Sequence, residues 1–429
     1  MHATSSTTDA APTAANPQPH VNGDRLWQRL MAMARIGATE KGGVCRLALT
    51  ELDRQGRVLF TTWAQELGCS VRTDAIGNLF ARRAGADDSL PAVATGSHID
   101  TQPTGGKFDG NYGVLAGLEV LHALDDAGLR TRAPLEVCVW TNEEGSRFVP
   151  VMMGSGVYAG AFSLAHALAA TDAQGISVQQ ALHATGQAGS APAAVADGAP
   201  RFAAYFEAHI EQGPVLEDAG ITIGAVTGAL GQRWYDVQVT GMEAHAGPTP
   251  MALRRDALLP AARLVQHVNE LALAEQPHGR GTVGQLSVFP GSRNTIPGRV
   301  RFTVDFRHAS DEGLARMDHA LRAAAAALAR PGLEITIEPV VYFPPQPFDP
   351  ALVDAVRQGA QQAGLSVMDV VSGAGHDAVY VARTAPAAMI FVPCKDGISH
   401  NEIEDAQPAH LTAGANVLLH AMLARAGRA

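Results

Sequence analysis

Cysteine is scarce in this chain. Cys45, Cys69, Cys138 and Cys394 lie far apart and form no CxxC pair. In a chain of 429 residues that argues against a disulfide scaffold and for a reducing compartment, the cytoplasm. Clustered Lys and Arg are missing too: 32 basic residues against 42 acidic ones leave a formal charge of −10. Neither nucleic acid nor an anionic membrane surface is therefore expected as a partner. No apolar run is long enough to span a bilayer. Residues 1–24 are small, polar and proline-containing, without the charged start and apolar middle of a signal peptide, and read as a disordered tail. What is present is 46% hydrophobic content with charges of both signs, enough for a sizeable core in one or two domains.

From Arg25 the apolar spacing becomes helical, and a second helix is expected from Asp53 to Leu67, ended by Gly68. β-like runs follow in VRTDAIGNLFARR, PAVATGSHID and PLEVCVWTNEEG, the last two separated by the helix-like NYGVLAGLEVLHALDDAGL. Strand, helix, strand at that spacing predicts an α/β unit with parallel strands, whose polar residues fall at strand ends, where open α/β sheets place their sites. The middle of the chain instead reads β-α-β-β-α, with WYDVQVTGMEAHAG, GTVGQLSVFPGS and RVRFTVDFRH as strand-like pieces and an Ala-rich helix after them. The expected architecture is a larger α/β domain built from 25–213 and 330–429, with a smaller α+β domain, 214–329, inserted.

Five short stretches carry the candidate chemistry. His98 and Asp100, two apart on a strand, would share a face, and a carboxylate can hold an imidazole's orientation. A lone HxD is more often a histidine in a polar loop. Asp109 follows in GGKFDGNYG, where glycines let backbone approach closely. Glu143 and Glu144 end the apolar run LEVCVW, where paired carboxylates repel unless cations compensate. His209 ends YFEAHI, and His400 follows AMIFVPC in GISHNE. Each alone is more simply surface polarity. Together, three imidazoles, an aspartate and a glutamate would satisfy two divalent cations sharing one carboxylate. Mixed nitrogen and oxygen donors favour Zn²⁺, with Mn²⁺ or Co²⁺ as alternatives. Such ion pairs, about 3.5–4 Å apart, recur in hydrolases.

The set GSHIDTQPTGGKFDGNYGV, TNEEGSRF, EAHIEQGP, GMEAHAGPTPM and SHNE resembles the dinuclear-metal amidohydrolases that act on N-carbamoyl amino acids. That family comprises β-ureidopropionases, N-carbamoyl-L-amino-acid hydrolases and allantoate amidohydrolases, and is related to aminoacylases and di-zinc exopeptidases. The resemblance implies a zinc-exopeptidase-like catalytic domain with an inserted lid and dimerisation domain, and a homodimer in which some members lend lid residues across the interface. It implies His98 with His209 on one ion, His400 with Glu144 on the other, and Asp109 as the bridge. Glu143 would be the general base and Asp100 the partner that orients His98. His245 would face the oxyanion; Gln212, Asn294, Arg307 and His376 would contact substrate, the planar Arg307 fork suiting a carboxylate. The motif around His376 reads equally well as a helix start capped by Asp377. The implied reaction converts an N-carbamoyl-β- or L-α-amino acid to the amino acid, CO₂ and ammonia. Allantoate hydrolysis is the alternative, then an aminoacylase or dipeptidase, and last a non-catalytic metal-dependent binding protein.

Overall fold

In the computed structural model, which describes residues 18–429, a nine-stranded sheet organises the larger part of the chain. Its centre is parallel: Val93–His98 lies between Leu135–Trp140 and Ala204–Ile210, and Ala387–Val392 pairs with the far side of Ala204–Ile210. All four strands are buried along their length, which explains why they read as near-continuous apolar runs. Their register sets His98 beside Trp140 and His209 beside Phe391, so the four C-terminal ends open on one edge. The candidate metal ligands and Glu143 come from those ends or the loops just beyond.

The helix Asn111–Asp126 packs against this sheet and is buried on nearly every face. It is covered in turn by Gly23–Ala34 and Pro408–Ala426. Residues 1–17 of the expected tail lie outside the described residues, but 18–24 do not behave as a tail. Val21 is buried and donates its N–H to Asn416 Oδ1, Asn22 donates to buried Glu119, and the Asn22 side chain caps a helix that begins at Gly23. The next helix runs Glu51–Glu66, with Thr50 as its cap. VRTDAIGNLFARR is not one strand but a hairpin, Ser70–Thr73 with Leu79–Arg83, folded at Asp74, whose carboxylate accepts the N–H groups of Ile76 and Asn78.

The second unit is an antiparallel sheet ordered Leu286–Phe289, Arg299–His308, Gly231–Thr240, Glu334–Phe343, with helices Leu258–Ala274 and Asp311–Leu328 against it and a core of its own. Relative to the expected insertion, its edges are displaced: Ile223–Ala229 pairs in the large sheet, and Glu334–Phe343 completes the small one. No helix among the described residues is long and apolar enough to cross a membrane. The four cysteines are free, and Cys138 is core.

One buried charge connects fold to site. Arg46 donates to the carbonyls of Ile99, Met33 and Ile36 and to Asn111 Oδ1. Burial pulls its guanidinium down to about 10. By satisfying the Ile99 carbonyl it fixes the backbone between His98 and Asp100.

Candidate active site

The strand Val93–His98 delivers His98 at its end, where the ring is almost wholly buried. Nδ1 lies 2.9 Å from the Asp100 carbonyl oxygen, and donation there leaves Nε2 free. Gly110 has φ +64°, and a Cβ on it would sit 2.4 Å from the imidazole. Only glycine admits the ring and that backbone together. Gly106 is constrained by contact alone: a Cβ there would fall 2.0 Å from the Glu404 carboxyl.

Asp109 lies at the centre. Its Oδ1 is 3.2 Å from His209 Nε2 and 3.7 Å from His98 Nε2, while Oδ2 is 3.2 Å from His400 Nε2. Glu144 Oε2 stands 3.4 Å from the same His400 nitrogen. Two donor groups result, His98–Asp109–His209 and Asp109–Glu144–His400, each with its atoms within 4.8 Å of one another and with Asp109 common to both. His209 Nδ1 is held by the Ile210 carbonyl at 2.9 Å, so its Nε2 also points inward. Imidazole nitrogens and carboxylate oxygens in two overlapping sets fit a pair of divalent cations.

Glu143 belongs to neither set. Its Oε2 is 3.4 Å from His98 Nε2 and it lines the same cavity. Burial raises it well above the usual carboxylate range, helped by the charges of Asp377, Glu144, Asp109 and Asp100. Glu144 is raised by burial and by Asp109, against hydrogen bonds from Gln102, whose N–H and Nε2 reach it at 3.0 and 2.7 Å. Such crowding of carboxylates is what cations relieve.

Asp100 departs from its expected role. Its carboxylate is 3.9 Å from His98 Nδ1, and its backbone carbonyl holds the ring instead. The carboxylate oxygens accept the N–H groups of Glu143 and Glu144, both at 3.3 Å. Asp100 thus secures the turn at Asn142 (φ +54°) that sends the two glutamates apart.

A cavity of about 310 Å³ joins these residues to the second unit. His376 and Gln212 line it. Gln212 donates to Asp109 Oδ2 and Ser399 Oγ, and His376 Nε2 lies 3.0 Å from Ser372 Oγ, its ring 4.6 Å from that of His209. Arg307 lines it from the small sheet, with part of its fork occupied: Nε and Nη2 bond Asp305, and Nη1 donates to the Gly373 carbonyl. His245 and Asn294 do not line it. They lie together on an exposed two-stranded ribbon, Ala246 donating to the Asn294 carbonyl. Asp377 is not a capping group; its Oδ1 accepts from Ser155. Gln102, Ser399 and Glu404 escaped the sequence reading. Gln102 and Ser399 lie inside the stretches that carry His98 and His400, and Glu404 is an acidic residue just past SHNE.

These groups give the chelated protein a definite pH response. Burial pushes Asp100 from 3.8, and Glu404 and Glu207 from 4.5, up to about 7. Folded carboxyls that keep their protons longer than unfolded ones lose stability as pH rises through that interval. Burial opposes charge on His209, but the Asp109 hydrogen bond and charge prevail and hold it up to about 9 from 6.5, so its contribution also fades on the alkaline side. Burial lowers His98 to about 4 and His376 well below 6.5, which works the other way. Glu143, Glu144 and Asp377 add to the raised carboxyls and outnumber the two imidazoles, so EDTA-treated protein should melt at a lower temperature at about pH 8 than at about pH 5. Saturating divalent cation should remove or reverse that slope, because its ligands must be deprotonated.

Residues 94–424 match the model of Peptidase family M20/M25/M40. An N-carbamoyl-L-amino-acid amidohydrolase of Rhizobium meliloti is 47% identical over 94% of this chain and 96% of its own length. An allantoate amidohydrolase of Bacillus subtilis is 36% identical, with coverage of 90% and 93%. Among solved structures, a hydantoinase/carbamoylase family amidase from Burkholderia multivorans aligns with a TM-score of 0.91 at 56% identity, covering 96% of this chain and 99% of that one. A parallel sheet ending in two overlapping donor sets, with a family match across most of the chain, leads to one conclusion: this protein belongs to the M20/M25/M40 peptidase family.

Proposed function

We propose that the chain hydrolyses N-carbamoyl amino acids, adding one water across the ureido group to release the amino acid, CO₂ and ammonia. The observation that carries this reading is the sharing of Asp109 between two donor sets with Glu143 standing free beside them. The residues that would hold two divalent cations, Zn²⁺ first, are His98 and His209 for one, Glu144 and His400 for the other, and Asp109 for both. When bound, the ions would polarise the substrate carbonyl and make water a better nucleophile at neutral pH. Glu143 takes the proton from the attacking water and returns it to the departing nitrogen. Asp100 keeps Glu143 and Glu144 divergent. Arg307 offers the N–H groups left over from Asp305 and Gly373 to the substrate carboxylate, and Gln212 and His376 border the same space.

His245 and Asn294, exposed and off the cavity, are the groups a second copy would supply, with His245 donating to the developing oxyanion. Met251, Leu253, Leu259 and Phe289, all well exposed on the small unit, support a homodimer through that unit. Free cysteines support a cytoplasmic setting.

The test is ammonia release by metal-reconstituted protein from N-carbamoyl-L-α-amino acids, N-carbamoyl-β-alanine, allantoate, N-acetyl amino acids and dipeptides. Turnover of the carbamoyl amino acids is expected to lead. Preference for allantoate would move the chain to that alternative, and cleavage only of acyl or peptide bonds would overturn the reading.

A further inference from the structure

We propose that Glu404 is a positioning residue that clamps the loop bearing Asp109 to the loop bearing His400, and so sets the second cation site. The inference rests on the two-cation reading above. Glu404 is 2% exposed. Its Oε1 accepts the N–H groups of Phe108 at 2.9 Å and Asp109 at 3.1 Å, nearly three hundred positions earlier in the chain. Its Oε2 accepts from Ser399 Oγ at 2.7 Å, and that hydroxyl also lies 3.1 Å from Asp109 Oδ2. One carboxylate thereby ties the Ser399–His400 loop to the backbone of Asp109. The bare Cα of Gly106 is what lets it in.

The two sites do not depend on this clamp equally. His98 and His209 sit on buried strands, and each ring has a backbone carbonyl to hold it. His400 sits beyond the sheet at φ +54°, its side chain 52% exposed. Its ring faces only Asp109 and Glu144, with no carbonyl anchor among the described residues. The loop that carries it is registered against Asp109 by Ser399 and Glu404. Loosening Glu404 should therefore cost the His400 site and spare the other.

The test is calorimetric titration of the metal-free full chain with Zn²⁺, for wild type, Glu404→Ala, Glu404→Gln, Gly106→Ala and His400→Ala. Loss of a partner that orients a ligand costs about 10–100-fold in metal affinity. Glu404→Ala should weaken by that factor the same binding step that His400→Ala removes, leaving the other step near wild type; the buried N–H groups it strips of an acceptor should lower the metal-free melting temperature. Glu404→Gln should recover most of the loss, since its amide oxygen can still accept from Phe108 and Asp109. Gly106→Ala, which displaces the carboxyl without removing it, should repeat the selective loss and carries the test if Glu404→Ala does not fold. Wild-type affinity at both steps, equal weakening of both, or no rescue by Gln would overturn the clamp. A wild type that binds fewer than two ions would instead fault the two-cation reading.

Discussion

Replacing Glu143 with Gln is expected to leave the metal content intact and to lower kcat by about 10²–10⁴-fold, the usual contribution of a general base. The side chain belongs to neither donor set, so the amide need not disturb a ligand. It keeps nearly the same shape at the buried edge of the cavity but cannot take a proton from water. It also relieves some of the carboxylate crowding, so the metal-free variant should melt slightly higher than wild type. Metal analysis, kcat and KM measured together separate this result from its rivals. A fall in bound metal would make Glu143 a ligand, and unchanged turnover in the loaded variant would remove it from the mechanism.

Asp109→Ala should have the broadest effect of any single change. Both donor sets need this carboxylate, so its removal is expected to abolish high-affinity binding of both ions and bring activity to background. The loss should exceed the about 10–100-fold of a supporting residue such as Glu404. His209 and His400 both owe their raised proton affinity to Asp109, chiefly so for His400. Imidazole titration followed by NMR in metal-free Asp109→Ala should accordingly show both shifted downward. Retention of one tight ion in the variant would mean that Asp109 serves a single site.

The ligand candidates were legible because strand ends are legible. His98, His209 and the Glu143–Glu144 pair each terminate an apolar run, and parallel neighbours align those ends. Asp100 was misread for a related reason. Residues two apart share a face only while the chain stays extended, and the strand stops at His98, so the Asp100 carboxylate turns toward the Glu143 and Glu144 amides instead. Glu404 had no periodicity to betray it, because its partners are backbone N–H groups nearly three hundred positions away. The VRTDAIGNLFARR hairpin was hidden by β-compatible residues on both sides of the Asp74 turn. The edges of the inserted unit shifted because Ile223–Ala229 and Glu334–Phe343 both look like half-buried strands, and pairing partners decide which sheet each joins. His245 and Asn294 were assigned through resemblance, and one chain alone leaves them outside the cavity.

The proposed hydrolysis of a carbamoyl amino acid would depend on two cations that Asp109 would hold in common. That dependence is tested most directly by adding Zn²⁺ stepwise to the metal-free protein and following ammonia release from an N-carbamoyl-L-amino acid. Turnover should be absent in the chelated protein and should climb to its plateau only as the second equivalent per chain is bound. A plateau at one equivalent, or turnover that survives chelation, would contradict the account.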